Sequence, residues 1–379
     1  MRLSNLQSDT IRFLRFPLIL GVLYRHASAA DIVVQGKDLA LNESFYYLDL
    51  TQRVFSDILG GVRVPFFFFI AGLLFFRNYQ QPDRVFYKKQ LHKRVHSLLI
   101  PYLFWNCMLM FLFFVAQHTP VLSDLFSGRF TKIEDYGMGD LIKAFGIASR
   151  FPISFQFWFL RDLIAVSLSA PLIAYLIRKL KLFPVMLFFI CWMCEDRHLM
   201  MGSFCFFSLG AYFSITCIDL LSFCNRYRYL FNTLFGAYCV LYLFFPQNAV
   251  LGYIGYFSVP GGIFSLFYLA SQLLKKIRVP QKWYLLSDMS FFLFAVHEPF
   301  LSFLKKSLYI TLQPQSEWLL IALFLLPPLF IVVCAYYSYQ HIVPYLPTIL
   351  KQAMGLRPSP VLAVSREVAG KSPKLSTPS

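Results

Sequence analysis

What this chain can fold into is set first by apolar runs long enough to cross a bilayer, which recur from residue 10 to residue 341 with short polar breaks between them. A spanning helix needs roughly 20 mostly apolar residues, because the hydrocarbon core is about 30 Å thick and each residue rises about 1.5 Å. Segments near that length fall at 10–29, 56–77, 97–117, 157–177, 182–197, 200–217, 229–246, 251–274, 289–310 and 318–341. Within lipid the backbone must satisfy its own hydrogen bonds, and a run of this length does so as a helix. The expected fold is therefore all-α and polytopic, with about ten transmembrane helices. The pair 182–197 and 200–217 is short and closely spaced, so a single re-entrant pair is an alternative there. Only 14% of residues are charged and 58% are hydrophobic, which is too much apolar surface for a soluble core.

The basic residues give an orientation, because short cytoplasmic loops collect Lys and Arg. Arg77, Arg84, Lys88, Lys89, Lys93 and Arg94 follow the second segment, Arg178, Lys179 and Lys181 the fourth, Arg226 and Arg228 the sixth, and Lys275, Lys276, Arg278 and Lys282 the eighth. These loops and both termini are expected on the cytoplasmic side. The loop 30–55 carries Asp31, Asp38, Glu43 and Asp49 and is expected outside. The net charge of +16 then reports topology and contact with the lipid bilayer, with no nucleic-acid partner implied. The first apolar run has Arg near its start and no convincing cleavage site, so it is expected to remain as an anchor. Residues 1–345 read as one transmembrane domain. Residues 346–379 read as a basic, Pro/Ser-rich flexible cytoplasmic tail. Cys191 and Cys194 are the one cysteine pair at ligand spacing and lack further His or Cys ligands, so no metal site is expected.

Inside the first apolar run stand Arg12, Arg15, Arg25 and His26. Ionisable side chains within a membrane segment are costly unless they face a bundle interior or a watery cavity, which makes them candidates for function. Arg15 and His26 are eleven residues apart, a spacing that returns to within about 20° on a helix and separates them by about 16 Å along the axis. They share one face. The plainer alternative is that Arg15 snorkels to the cytoplasmic surface and His26 packs against a polar neighbour.

These residues carry a resemblance. The stretch LRFPLILGVLYRHA, with Arg15 and His26, is similar to the first helix of the integral-membrane acyltransferase family 3, whose members O-acylate sugars and other acceptors at the cell envelope. RVPFFFFIAG at 63–72 resembles the family's second-helix segment, and KRVHSLLIPYLFW at 93–105 its basic entry to the third helix. FWFLRDL at 157–163 and SDMSFFLFAVHEP at 287–299 resemble its Trp-aromatic and late Ser-aromatic-His segments. The order and spacing of the segments make the likeness. The chain departs at Ser97, where many members have a second Arg, and at Ala71, where many have Ser. A donor-binding role at the former would pass to His96, Lys93 or His92.

The resemblance implies a membrane O-acyltransferase that moves an acyl group, most simply acetyl, from acyl-CoA to a hydroxyl of an envelope carbohydrate or glycolipid. It implies no bound cofactor, with acyl-CoA as co-substrate. The location implied is the cell membrane, multi-pass, and the inner membrane if the cell has two. It also implies that His26 is essential. A neutral imidazole suits removal of a hydroxyl proton near neutral pH, and His26 could act so or could first take the acyl group itself. Arg15, Lys88, Lys89, Lys93 and Arg94 are candidates for the phosphates of the donor. Arg63, Trp158 or Arg161 could steady a developing oxyanion or position substrate. Arg161 could instead pair with Asp162. His297 and Glu298 form a further polar island, and Glu298 could orient an imidazole as a His26–Glu298 or His297–Glu298 pair. Adjacent helical residues diverge by about 100°, which favours a partner across helices. Two other classes stay open: a transporter or flippase of an envelope precursor, in which the same groups relay protons or gate substrate, and a non-catalytic assembly partner.

Overall fold

In the computed structural model, the described residues are 4–28, 33–34, 37–38, 45–79, 83–119, 132–147, 149–194 and 200–356. They are almost wholly helical, with one pair of two-residue strands, Val33–Val34 and Lys37–Asp38. In chain order the helices are α1 (Asn5–Ala27), α2 (Tyr46–Gln52), α3 (Leu59–Phe75), α4 (Arg84–Arg94), α5 (Ile100–Gln117), α6 (Met138–Ala144), α7 (Trp158–Leu168), α8 (Ala170–Leu180) and α9 (Phe183–Cys194). Then come α10 (Met200–Ile215), α11 (Leu220–Arg226), α12 (Arg228–Phe244), α13 (Ala249–Lys276), α14 (Gln281–Asp288), α15 (Ser290–Leu312), α16 (Glu317–His341) and α17 (Thr348–Ala353). The N-terminus of α1 is fixed by a capping box, in which Ser4 and Gln7 each accept from the other's backbone N–H.

Among the described residues, four helices are long and apolar enough to cross a membrane, or up to six if each of two bent pairs is one span. That is fewer than the ten apolar stretches of the sequence. The difference has local causes. The expected loop around 77–96 is largely helical: α4 continues through a π-helical turn at Val95–Leu99 into α5 as one helix from Arg84 to Gln117. The segment expected at 56–77 likewise begins at Tyr46, through a π-helical turn at Arg53–Ile58. The segment 157–177 bends by 59° between α7 and α8, and α9 has 12 residues, about 18 Å, too short to span alone. Helix α1 carries Arg12, Arg15 and Arg25, and α15 carries His297, Glu298, Lys305 and Lys306, so neither is uniformly apolar. Part of the expected tail is ordered, with α17 held by a bond from Trp105 Nε1 to the Met354 carbonyl. Residues 357–379 of that tail lie outside the described residues.

The core centres on α1, α3, α7, α10 and the first half of α15, filled by large side chains such as Leu23, Phe66, Phe69, Phe157, Phe207 and Leu293. Helices α3 and α10 approach until their backbones touch. A Cβ added to Gly72 would lie 2.0 Å from the Phe207 carbonyl oxygen, and one added to Gly210 would lie 1.9 Å from that of Phe69. Ser214 Oγ donates to the Leu73 carbonyl at 2.7 Å across the same seam. In lipid, where apolar side chains gain nothing by leaving the solvent, small residues that permit such contact supply the packing that holds helices together. Gly210→Val should therefore lower the thermal unfolding midpoint of the purified protein in nanodiscs, at a cost of about 2 kcal/mol or more. Gly236→Ala, where an added Cβ meets nothing within 4 Å, should leave it unchanged or slightly raised.

Candidate active site

A cavity of about 1670 Å³ runs between α1, α3, the α4–α5 junction, α7 and α15. Arg15 and His26 both line it, as their shared helix face requires, roughly 16 Å apart along α1. One end is basic. Lys93, Arg94, His92 and His96 face it there, and the Arg94 guanidinium lies 5.5 Å above the Phe75 ring, at the C-terminal end of α3. Toward the other end of α3 the wall passes to Gly60, Gly61, Arg63, Arg25, His26 and Ser28. Between them lie Phe67, Phe68, Phe159, Phe294 and Trp158.

Behind this wall His26 meets a second imidazole. The His26 and His297 ring centroids are 5.4 Å apart with planes 35° from parallel, and the Phe155 ring stands edge-on to His26 at 5.1 Å. His297 is fully buried. Its Nδ1 lies 2.6 Å from the Phe294 carbonyl oxygen, an acceptor only, so Nδ1 carries the proton and Nε2 keeps a lone pair. That Nε2 is buried and has no hydrogen-bond partner among the described residues. Neither of the expected imidazole pairings of Glu298 is found among the described residues. The backbone of α15 leaves the helical region at Glu298 (φ −108°, ψ 137°), before Pro299, and this turns the carboxylate toward Ser302, Lys305 and Lys306. The Glu298 carbonyl accepts instead from Gln156 Nε2 at 3.3 Å.

The end of α1 that bears His26 is gripped by other elements. The last carbonyls of a helix have no partner within it and attract cations. Here Lys305 Nζ donates to the carbonyls of His26, at 2.5 Å, and Ser28, at 2.9 Å; Ser56 Oγ donates to Tyr24; and Arg63 Nη1 donates to Gly21 at 2.9 Å and to Ser56 at 3.2 Å. Lys305 and Arg63 are each 7% exposed. Sequence reasoning missed Lys305, although it stands seven residues after Glu298 and thus near the same helix face.

Of the remaining expected site residues, Arg63 and Trp158 line the cavity, while Lys88 and Lys89 are exposed on α4 and do not. Arg161 also stands outside it. Its Nε and Nη2 each lie 2.9 Å from Asp162 Oδ1, and its Nη1 donates to the carbonyls of Gly146, Ser149 and Arg150. Asp162, fully buried, accepts a further bond from Ser203. The structure thus shows the Asp162 alternative for Arg161. Other lining residues drew no attention in the sequence, among them Arg150, Gln156, Trp192 and Tyr339.

Two outcomes are expected. Arg161→Ala leaves Asp162 as an uncompensated buried charge and should destabilise the protein by about 3–5 kcal/mol, read as a lowered unfolding midpoint. The double variant with Asp162→Asn should recover part of the loss. Lys305→Met frees the end of α1 and should lower the rate of any reaction carried by His26 by about tenfold or more, whereas Lys305→Arg, which keeps the cation, should retain most of it.

The family model of acyltransferase 3, described as an acyltransferase domain, matches residues 9–339. That match takes in α1 to α16 and with them every wall of the cavity except the stretch around Gly355. No curated protein matches the chain, and no solved structure does. From the match, the chain belongs to the acyltransferase 3 family and is a membrane acyltransferase.

Proposed function

We propose that the protein takes an acyl group, most simply acetyl, from cytosolic acyl-CoA and transfers it to a hydroxyl of an envelope carbohydrate or glycolipid. The observation that carries this reading is a cavity lined by a basic cluster, Arg15, Lys93 and Arg94, at one end and by His26 at the other, with His297 packed behind His26. Coenzyme A is long and unevenly charged, with phosphates at one end and the thioester at the other. Its phosphates suit guanidinium and ammonium groups, and its uncharged arm suits the aromatic middle of the cavity. In this reading the basic end and both termini face the cytosol, and the protein is a multi-pass component of the cell membrane, the inner one where there are two.

At the far end, His26 removes the proton from the acceptor hydroxyl as its oxygen attacks the thioester carbonyl. The carbon–sulfur bond then breaks, and the imidazolium returns the proton to the departing thiolate. His297 is the group nearest in kind. With Nδ1–H on the Phe294 carbonyl, its Nε2 can accept a hydrogen bond from the His26 ring and hold it in the tautomer that leaves the other nitrogen free as base. Arg63 stands in the same wall, where its charge opposes that of a tetrahedral oxyanion. Transfer through an acyl-imidazole on His26 would use the same groups in two steps.

The test is transfer from labelled acetyl-CoA to an extract of envelope saccharides by purified protein in nanodiscs. Wild type should consume the donor and label the extract. His26→Ala should lose transfer by about a hundredfold or more while keeping its unfolding midpoint and donor binding. Arg94→Gln should mainly raise the donor KM. A folded wild type that neither binds nor consumes acyl-CoA would rule out this donor.

A further inference from the structure

A neutral side chain in the cavity wall is held by only one of its two polar atoms. Gln156 lines the cavity and is 3% exposed. It stands in the middle of a short helical turn, Phe155–Phe157. The Phe155 ring packs on His26, while Trp158 and Phe159, which follow the turn, belong to the aromatic middle of the cavity. Gln156 Nε2 donates to the Glu298 carbonyl at 3.3 Å. That carbonyl can only accept, so the contact identifies the nitrogen end of the carboxamide and leaves Oε1 as the other end. Oε1 is buried and has no hydrogen-bond partner among the described residues. The turn is itself anchored on α5, since the Ser154 N–H donates to Asn106 Oδ1 at 3.2 Å and Ser154 Oγ donates to the Trp105 carbonyl at 3.3 Å. The carboxamide is therefore fixed from both sides, through its nitrogen to α15 and through its backbone to α5.

A buried acceptor left without a donor costs about 1–3 kcal/mol, and a substrate can bring the donor. In the acyltransferase reading above, on which this inference rests, the arm of acyl-CoA runs from the basic end through the aromatic middle to the thioester at His26. The amide of that arm nearest the sulfur carries an N–H two methylene groups from the reacting thioester. Between aromatic walls an unpaired amide N–H is costly as well. Gln156, between the aromatic middle and the residue that packs on His26, offers the acceptor that this N–H needs. We infer that Gln156 Oε1 accepts a hydrogen bond from the donor's amide N–H next to the thioester and so fixes how far the arm enters. Held by its phosphates alone, roughly 16 Å from His26 along α1, the flexible arm would leave the thioester free to slide. A second fixed point beside the reacting carbon removes that freedom and holds the carbonyl within reach of the attacking hydroxyl. Gln156 is thus a positioning residue for the donor, and it selects thioesters of the pantetheine type over those that lack this amide.

Full-length protein in nanodiscs would be titrated with acetyl-CoA and with an analogue in which that amide is replaced by an ester, for wild type and for Gln156→Met. Wild type should bind the analogue about tenfold more weakly than acetyl-CoA. In Gln156→Met the preference should fall below about twofold, because the residue and the N–H act as a pair. A purely structural role for Gln156, through its bond to Glu298, would weaken both probes alike and leave the preference intact. Equal binding of the two probes by wild type overturns the inference, and that measurement stands even if Gln156→Met fails to fold. A preference that persists in folded Gln156→Met overturns it too, since another group would then be reading the amide. Wild type that binds neither probe and consumes no acetyl-CoA would instead overturn the acyltransferase reading, and this inference with it.

Discussion

The arrangement rests on how the C-terminal end of α1 is held. A helix end inside a membrane protein leaves carbonyls that neither the helix nor water can satisfy. Here Lys305 from α15 meets those of His26 and Ser28, while Arg63 and Ser56 bond carbonyls just before them, at Gly21 and Tyr24. Two helices distant in sequence, the one from Tyr46 to Phe75 and α15, therefore converge on the C-terminal turns of α1. The buried cations are stabilised by the helix dipole and by fixed carbonyls, and in return they fix the backbone beneath the imidazole. The close α3–α10 seam, where Gly72 and Gly210 admit backbone contact, sets where α3 stands and thereby where Arg63 reaches.

From this grip follows the shape of the site. His26 is presented to the cavity at one level and Arg15 at another, on a single rigid helix. The break in α15 at Glu298 turns its carboxylate down the helix toward Lys305 and leaves His297 against His26. The buried Arg161–Asp162 pair, with Ser203 on its free oxygen, ties the first turn of α7 to α10 and to the segment preceding α7. These polar contacts hold the walls, while the aromatic side chains between the two ends give the cavity its apolar middle.

How much of this was legible depends on whether the signal was local. The Arg15–His26 face could be read because it depends only on helical periodicity, and both residues line one cavity. The family was legible from the order of five short segments. The number of spans was not, since hydropathy registers apolar runs without the π-helical turns at 53–58 and 95–99, the bend between α7 and α8, or the shortness of α9. The partner of His26 was not legible either. Composition pointed to a carboxylate, and the structure places a second imidazole, His297, there. Lys88 and Lys89 looked equivalent to Lys93 and Arg94 in one basic stretch; Lys89 even shares a helix face with Lys93, and only the way the helix packs brings Lys93 and Arg94 to the cavity and leaves Lys88 and Lys89 exposed.

The sequence by itself determined that the chain is helical and lipid-embedded, that Arg15 and His26 share a face, and which family it belongs to, because these follow from hydropathy, periodicity and motif order along one dimension. The tertiary structure decided which charges line the cavity, which are locked into carbonyl and carboxylate contacts, and what stands beside His26. Those outcomes turn on backbone contact at Gly72 and Gly210, on the break at Glu298 and on capping of α1 by Lys305. Each joins residues far apart in the chain, and no local pattern encodes which of several buried polar groups will meet.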